Sequence, residues 1–235
     1  MRSSQSRSAG SAILRFYIMK ASAIVIHRFG DPVEVAEYGQ IELPDLGARQ
    51  VLVRVLFAPV NPADINLIQG TYGTRPELPV TPGGEGVGVV EEVGSAVESL
   101  APGTRVLFPA GLGSWRERFV ADAGDLILVP DDIPLEQAAM MRVNPATAFR
   151  MIHDFVDLRP GEWLIQNASN SGVGRAVIQI AAAHGWRTVN LVRREALVEE
   201  LRVIGADAVV VESSNTAAQV LTATGKVRSN LVIVI

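Results

Sequence analysis

The sequence predicts an α/β protein in two parts: an irregular, mostly antiparallel β-domain, then an incomplete doubly wound parallel sheet. Three observations predict it. From Lys20 to Val129 short apolar runs are separated by Pro59, Pro62, Pro76, Pro79, Pro82, Pro102 and Pro109, where a missing amide donor and a fixed φ do least harm. Beyond Pro160-Gly161 strands and helices alternate, which implies parallel strands joined by right-handed crossovers. The 235 residues are 48% apolar and 20% charged, enough to build a packed core at roughly 150 residues per domain and too little charge for a disordered chain.

Residues 1–19 carry Arg2, Arg7 and Arg15, several serines and no acid. That is the composition of a mitochondrial presequence; a plain tail, or a start placed ahead of Met19, is the other reading, and the stretch stays outside the fold. Lys20–His27 is the first strand, closed by a turn at Gly30-Asp31-Pro32. In Val51–Phe57 the residues Val51, Val53, Val55 and Phe57 alternate with others, the period of a half-buried strand. Val87–Val93, interrupted by Gly88, and Arg105–Phe108, Arg116–Ala121 and Asp125–Val129 are further short strands. Leu135–Val143 and Thr147–Phe155 have helical spacing, with Asn144-Pro145 as the break between them. Then come strand Trp163–Gln166, helix Gly172–His184, strand Arg187–Val192, helix Glu195–Ile204, strand Ala208–Val211, a weaker helix near Thr216–Thr224 and strand Leu231–Ile235. The expected division is an extension at 1–19, a first domain at 20–157 and a second at 158–235.

Composition removes several chemistries. The chain has no cysteine, which excludes disulfides, thiolate zinc sites, iron–sulfur clusters and cysteine nucleophiles. His27, His153 and His184 have no ligand spacing, so no metal site is expected. A net charge of −4 gives no bulk attraction to nucleic acid or to an anionic membrane, and no apolar run reaches the ~18 residues of a membrane span.

The strongest local signal is the strand Trp163–Gln166 running through Asn-Ala-Ser-Asn-Ser-Gly-Val-Gly174 into the apolar helix Ala176–Ala183. Such a turn brings backbone amides up to a pyrophosphate, and the helix start adds unpaired N–H groups and partial positive charge. The usual glycine spacing is broken, its first two slots falling on Ser169 and Ser171 while Gly172 and Gly174 remain. Small hydroxyl residues still permit close approach and can donate hydrogen bonds; a merely structural tight turn is the alternative. At the end of the next strand, where an NAD site places an acid, stand Arg193 and Arg194. Guanidinium groups suit the 2′-phosphate of NADPH; a solvated Arg pair before a helix is the plain reading.

The run Gly83-Gly-Glu-Gly-Val-Gly-Val-Val-Glu-Glu-Val-Gly94, ahead of the strand–helix half, resembles the medium-chain dehydrogenase/reductase superfamily. Its zinc-binding His position is Gly84 here and its cysteine ligand is replaced by Asn61, which points to the zinc-free branch. Asn61-Pro-Ala-Asp-Ile-Asn-Leu-Ile-Gln-Gly-Thr-Tyr-Gly73, Val143-Asn-Pro-Ala-Thr-Ala-Phe-Arg150 and Gln166-Asn-Ala-Ser-Asn-Ser-Gly-Val-Gly174 resemble the mitochondrial-type trans-2-enoyl-thioester reductases. The resemblance runs from about Lys20 to Asp207. It implies a GroES-like catalytic domain, an NADPH-binding Rossmann domain, and NADPH-dependent reduction of the 2,3-double bond of enoyl-CoA or enoyl-ACP in fatty-acid synthesis. Carried over by motif, Tyr72 is the catalytic tyrosine and Asn144 lies at the cofactor. Asn170, Ser171, Gly172 and Val173 hold the pyrophosphate, and Arg193 the 2′-phosphate. This chain reads Arg193-Arg194-Glu195 where the family often has Arg-Asp-Arg, which leaves the division of contacts between Arg193 and Arg194 open.

A tyrosine suits that chemistry. Hydride delivery to the β-carbon leaves negative charge on the thioester oxygen, and a neutral O–H donor aimed there stabilises it. Gly70 and Gly73 favour a turn that presents the ring; Asp64 is placed to cap a turn at Ile65–Gln69, and Glu85 to brace loops. A doubly wound domain needs two halves, and one half plus the strand Leu231–Ile235 is expected here. The expectation is therefore a truncated product, a fragment, or a chain completed by a partner, with reduced turnover. The open alternatives are a zinc-free quinone or enone reductase and a non-catalytic nucleotide-binding protein. A homodimer is expected from the resemblance only, and the location expected is cytoplasmic, with mitochondrial as the alternative.

Overall fold

The computed structural model describes residues 18–73, 75–109, 111–225 and 231–233, so residues 1–17 of the expected extension lie outside the described residues. β1 (Lys20–Ile26) pairs antiparallel with β2 (Ala36–Glu42). Between them a four-residue helix, α1 (Pro32–Val35), starts where the Asp31 carboxylate accepts the Val33 N–H. β2 corrects the sequence reading, which has no strand there. Its side chains are exposed or half-buried, so no apolar alternation marks it.

β3 (Gln50–Phe57), β4 (Val87–Val93), β5 (Arg105–Leu107), β6 (Arg118–Asp122) and β7 (Ile127–Leu128) form an antiparallel sheet in the order β6-β3-β4-β5-β7. Val51, Val53, Val90, Val106, Phe108 and Phe119 pack as its core. Gly88, which breaks the apolar run of β4, sits where a Cβ would stand 2.6 Å from the Arg54 carbonyl oxygen; the two backbones approach because nothing projects between them.

Between β3 and β4, α2 (Pro62–Gln69) extends the turn expected at Ile65–Gln69 by three residues. Pro62 suits the first helical turn, the Asp64 carboxylate accepts the Asn61 N–H at 2.8 Å, and Gly70 ends the helix at φ 72°. The helix expected over Leu135–Val143 is shorter: α3 covers Leu135–Ala138. It gives way to turns in which the Met140 and Met141 N–H groups donate three residues back, to the Gln137 and Ala138 carbonyls; beyond them the Val143 N–H donates to a Glu85 oxygen at 2.9 Å and Pro145 opens the next helix, α4 (Asn144–His153).

The second sheet is parallel. β8 (Trp163–Gln166), α5 (Gly172–His184), β9 (Arg187–Val192), α6 (Val198–Val203), β10 (Ala208–Val211), α7 (Thr216–Ala223) and β11 (Leu231–Ile233) give the strand order β10-β9-β8-β11. A 3₁₀ turn at Glu195–Leu197 replaces the first turn of the helix expected from Glu195, and residues 234–235 of the expected last strand lie outside the described residues. β8 has β9 on one side and β11 on the other, so strand order reverses at β8, the place where ligands bind in open α/β sheets. Leu164, Val177, Ala181, Trp186 and Ile233 form the core below that point, and Ala148 and Ile152 bring α4 onto it. Each large apolar side chain fully buried there contributes about 1.5–3 kcal/mol. α4 therefore carries its first residue, Asn144, to the start of α5.

Candidate functional site

The site begins where β8 ends. The Gln166 side chain is fully buried; its Nε2 donates to the Gly174 carbonyl at 2.9 Å and to Asn190 Oδ1 at 2.8 Å. Asn190 Nδ2 in turn donates to Thr188 Oγ1 at 2.8 Å and to the Ala208 carbonyl at 3.0 Å. Three strands and the first turn of α5 are thus tied behind the loop. The sequence reading passes over Gln166 and Asn190, although a carboxamide at the end of a buried strand is a signal for them.

The loop is tight. Ala168 takes a left-handed conformation at φ 43°, at a cost of roughly 1–2 kcal/mol for a residue with a Cβ. At Gly174 a Cβ would lie 2.7 Å from both Cα and O of Ser169, so glycine lets the helix rest on the loop. Ser171 caps α5, its Oγ accepting the Gly174 N–H at 3.1 Å. The N–H groups of Gly172 and Val173 fall in that first turn, which has no helix carbonyl to serve. Ser169 corrects the sequence reading: it is 0% exposed and its hydroxyl donates to the Gln166 carbonyl at 3.2 Å, inward and away from any ligand.

Asn167, Ala168, Asn170, Arg193, Arg194 and Glu212 line one cavity of about 390 Å³ beside the loop. The loop and the Arg pair, distant in sequence, share that space. The Arg193 side chain is 90% exposed and reaches Glu212 Oε2 only at 3.9 Å, a solvated pair that holds it weakly. Loop residues and two guanidinium groups around one cavity, with the start of α5 two residues on from Asn170, fit a phosphorylated dinucleotide; Gly172 itself lines a separate cavity with Asn144.

On the other flank, a Cβ on Gly172 would stand 2.7 Å from Asn144 Nδ2. Asn144 Nδ2 donates to Asn61 Oδ1 at 3.5 Å, Asn61 Nδ2 donates to Glu85 Oε1 at 3.0 Å, and Glu85 Oε2 accepts the Val143 N–H. Glu85 does brace loops, and Asp64 does cap a helix start. Both are buried, 1% and 4% exposed, and burial pushes both carboxyls above their ordinary range. For Asp64 the backbone bonds from Asn61 and Gly84 oppose the shift. For Glu85 the bonds from Asn61, Val143 and Arg142 oppose it, and the neighbouring Asp64 adds to it.

Tyr72 lies past the other end of α2, about 12 Å of helix from Asn61 at 1.5 Å per residue. The N–H groups of Thr71 and Tyr72 donate to the Asn66 carbonyl at 2.9 and 3.1 Å. Arg75 Nε donates to the Gly70 carbonyl at 2.8 Å, with its guanidinium 5.7 Å from the centre of the Phe29 ring. Tyr72 is 48% exposed. One rigid helix therefore joins the tyrosine loop to the Asn61–Asn144–Gly172 row.

Residues 47–131 match the alcohol dehydrogenase GroES-like domain. The chain is 50% identical over 215 residues to the mitochondrial enoyl-[acyl-carrier-protein] reductase of Homo sapiens, an alignment covering 89% of this chain and 56% of that protein. It spans little more than half the length of the curated relatives it matches. Among solved structures, Etr1p in complex with NADP and crotonyl-CoA superposes with a TM-score of 0.83 at 29% identity, covering 92% of this chain and 69% of that one; Etr1p is also described as an Etr1p/Etr2p heterodimer from Candida tropicalis. A putative NADPH:quinone reductase from Bacillus thuringiensis superposes with a TM-score of 0.82 at 32% identity, over 91% and 65% of the two chains.

Proposed function

This chain belongs to the medium-chain dehydrogenase/reductase superfamily, and on that premise we propose that it reduces the 2,3-double bond of trans-2-enoyl thioesters, carried on CoA or acyl carrier protein, with NADPH. The observation that carries the reading is the cavity shared by Asn170, Arg193 and Arg194 beside the start of α5, in a chain half identical to enoyl reductases. In this reading the amides of Gly172 and Val173, with Asn170 and Ser171, bind the pyrophosphate. Arg193 and Arg194 hold the 2′-phosphate, and Asn144 contacts the nucleotide above Gly172. The cofactor, when bound, supplies the hydride that goes to the β-carbon of the substrate. Tyr72 donates its O–H to the thioester oxygen as negative charge develops there, while a proton is delivered to the α-carbon. The division into a catalytic part at 20–157 and a nucleotide-binding part at 158–235 belongs to the same proposal; it falls between α4 and β8.

The test is NADPH fluorescence titration together with NADPH oxidation on crotonyl-CoA and on quinones. Saturable binding and turnover of the thioester are expected. Tyr72→Phe should lower kcat on crotonyl-CoA by about 10²–10³, the loss typical of one donor to a developing oxyanion, and leave NADPH binding unchanged. The Bacillus neighbour favours a second reading, quinone reduction; turnover of quinones indifferent to Tyr72→Phe selects it. Binding without oxidation by any activated alkene selects a non-catalytic nucleotide-binding protein. The names of the curated relatives favour a mitochondrial location over the cytoplasmic one first expected, and the Candida heterodimer favours pairing with a second copy of this chain. Imaging of a tagged full chain and sedimentation velocity test these two points.

A further inference from the structure

We infer that Glu85 is a positioning residue that sets the direction of a hydrogen-bond relay, Glu85–Asn61–Asn144, and thereby fixes which face of the Asn144 carboxamide meets a ligand at the start of α5. The consequence for the ligand rests on the reading of that start as the NADPH site; the relay itself does not.

An ionised carboxylate only accepts, whereas a carboxamide has an oxygen that accepts and a nitrogen that donates. Glu85 is buried, and its two oxygens already take the Asn61 Nδ2 and the Val143 N–H at 3.0 and 2.9 Å. Asn61 must therefore turn its NH₂ to Glu85, which leaves its oxygen facing Asn144. That oxygen only accepts, so Asn144 turns its NH₂ back to Asn61. Asn144 Oδ1, which takes no hydrogen bond among the described residues, remains as an acceptor for a hydroxyl or amide donor of the bound dinucleotide. A charge on the β-sheet part of the molecule is thus converted, through two carboxamides, into a hydrogen-bond preference at the helix start. Gly172 keeps the row in register, since any side chain there would push Asn144 aside.

The relay has a defined reversal. Protonated Glu85 presents a donor, Asn61 turns over, and Asn144 follows. The titratable group acting on Glu85 is Asp64, on α2; the Arg142 and Val143 contacts are made by backbone, so they do not titrate. Glu85→Gln imitates the reversal at neutral pH, because the NH₂ it introduces faces the Asn61 NH₂. Pairing it with Asn61→Asp restores the direction. In that double variant the new carboxamide at position 85 donates to the new carboxylate at position 61, which in turn accepts from Asn144. Side-chain volume is nearly unchanged in both variants, and the double variant also restores the net charge, so a packing role predicts no rescue.

Two readouts on the full chain separate the relay from the cofactor reading. In ligand-free protein labelled with ¹⁵N-asparagine, Glu85→Gln should move the carboxamide signals of both Asn61 and Asn144, and the double variant should return the Asn144 signal to its wild-type position. In NADPH titrations Glu85→Gln should weaken binding roughly tenfold, the scale of one net hydrogen bond, and the double variant should recover most of it. An Asn144 signal that ignores Glu85→Gln, or a double variant no better than the single one, overturns the relay. Signals that respond as stated beside an NADPH affinity that does not respond leave the relay standing and overturn the placing of the cofactor on Asn144. Should Glu85→Gln fail to fold, Asn144→Asp carries the ligand-free arm: it sets an acceptor against Asn61 Oδ1, so the Asn61 signal must move, and its failure to do so overturns the relay.

Discussion

Replacing Gly174 by alanine tests how closely α5 rests on the loop that follows β8. The new Cβ would lie 2.7 Å from Cα and O of Ser169 and 2.8 Å from its carbonyl carbon. Comfortable carbon–carbon contact is about 3.5–4.0 Å, so the helix start or the loop must move by about 1 Å. The obstacles are backbone atoms and cannot swing away. Moving the helix strains the Gln166 Nε2 bond to the Gly174 carbonyl and the Ser171 cap. Overpacking of this kind costs about 1–3 kcal/mol, a weakened buried hydrogen bond about 1 and a weakened cap about 1, against up to about 1 gained from alanine in a helix. A net loss of about 2–4 kcal/mol should lower Tm by about 5–15 °C in a chain of this length. Because the Gly172 and Val173 amides move with the turn, NADPH affinity should fall at least ~10-fold, at about 1.4 kcal/mol per decade. Thermal unfolding by circular dichroism and NADPH fluorescence titration measure the two effects. A Tm within about 2 °C of wild type, under ~1 kcal/mol on the same scale, with unchanged affinity would refute the contact.

Gly172→Ala should behave differently, since it meets the end of a side chain, Asn144 Nδ2 at 2.7 Å. Its Tm should fall by no more than about 3 °C, under ~1 kcal/mol, while NADPH affinity falls about tenfold as the carboxamide is displaced. Arg193→Ala and Arg194→Ala should each lower the preference for NADPH over NADH by about 10–100-fold, the scale of a charge-assisted hydrogen bond; the ratio of the two Kd values reads this. Glu85 and Asp64 have folded pKa values raised above the ordinary 4.5 and 3.8 by burial. The folded state therefore binds their protons more tightly than the unfolded state does. Their favourable contribution is present below the ordinary values and is lost as pH rises through the raised ones. Urea midpoints across that range should fall less steeply in Asp64→Asn than in wild type; an unaltered slope would remove Asp64 from the account.

The second half of the chain is legible in the sequence because its signals are local. Helix α5 can be read to the residue: Ser171 caps it and Gly185 ends it at φ 69°, and its apolar face has one period throughout. β8, β9 and β10 are equally plain as short apolar runs between turns. β2 is not, since its side chains are mostly exposed and its pairing with β1 depends on a partner strand that sequence period does not report. α3 looks longer than it is because apolar spacing continues through Met140 and Met141, whose N–H groups bond three residues back in turns, and the chain beyond them is held by a hydrogen bond from Val143 to Glu85, 58 positions away. The candidate site divides the same way. The loop and the Arg pair announce themselves by residue type. Asn61, Glu85 and Asn144 each stand out singly, yet their bonds span 24 and 83 positions, and no local pattern carries such a link. Ser169 misleads because a hydroxyl in a loop gives no sign of whether it faces ligand or backbone.

The buried carboxyls bear on how the two halves of the site are held in step. Burying Glu85 and Asp64 a short distance apart costs free energy, and an apolar pair of similar volume would often be at least as stable. Packing alone therefore does not account for them. What they do is fix a helix at one end: Asp64 holds the Asn61 N–H and Glu85 holds the Asn61 side chain. At the far end the Thr71 and Tyr72 N–H groups tie the tyrosine loop to the helix through the Asn66 carbonyl, and Arg75, bonded to the Gly70 carbonyl, lies over the Phe29 ring. The backbone of Tyr72 is thus carried on α2, and a tilt of that helix would move it together with Asn61. The proposed reduction would use that coupling, because a donor to the thioester oxygen and a group that seats the nucleotide must be correct in the same instant.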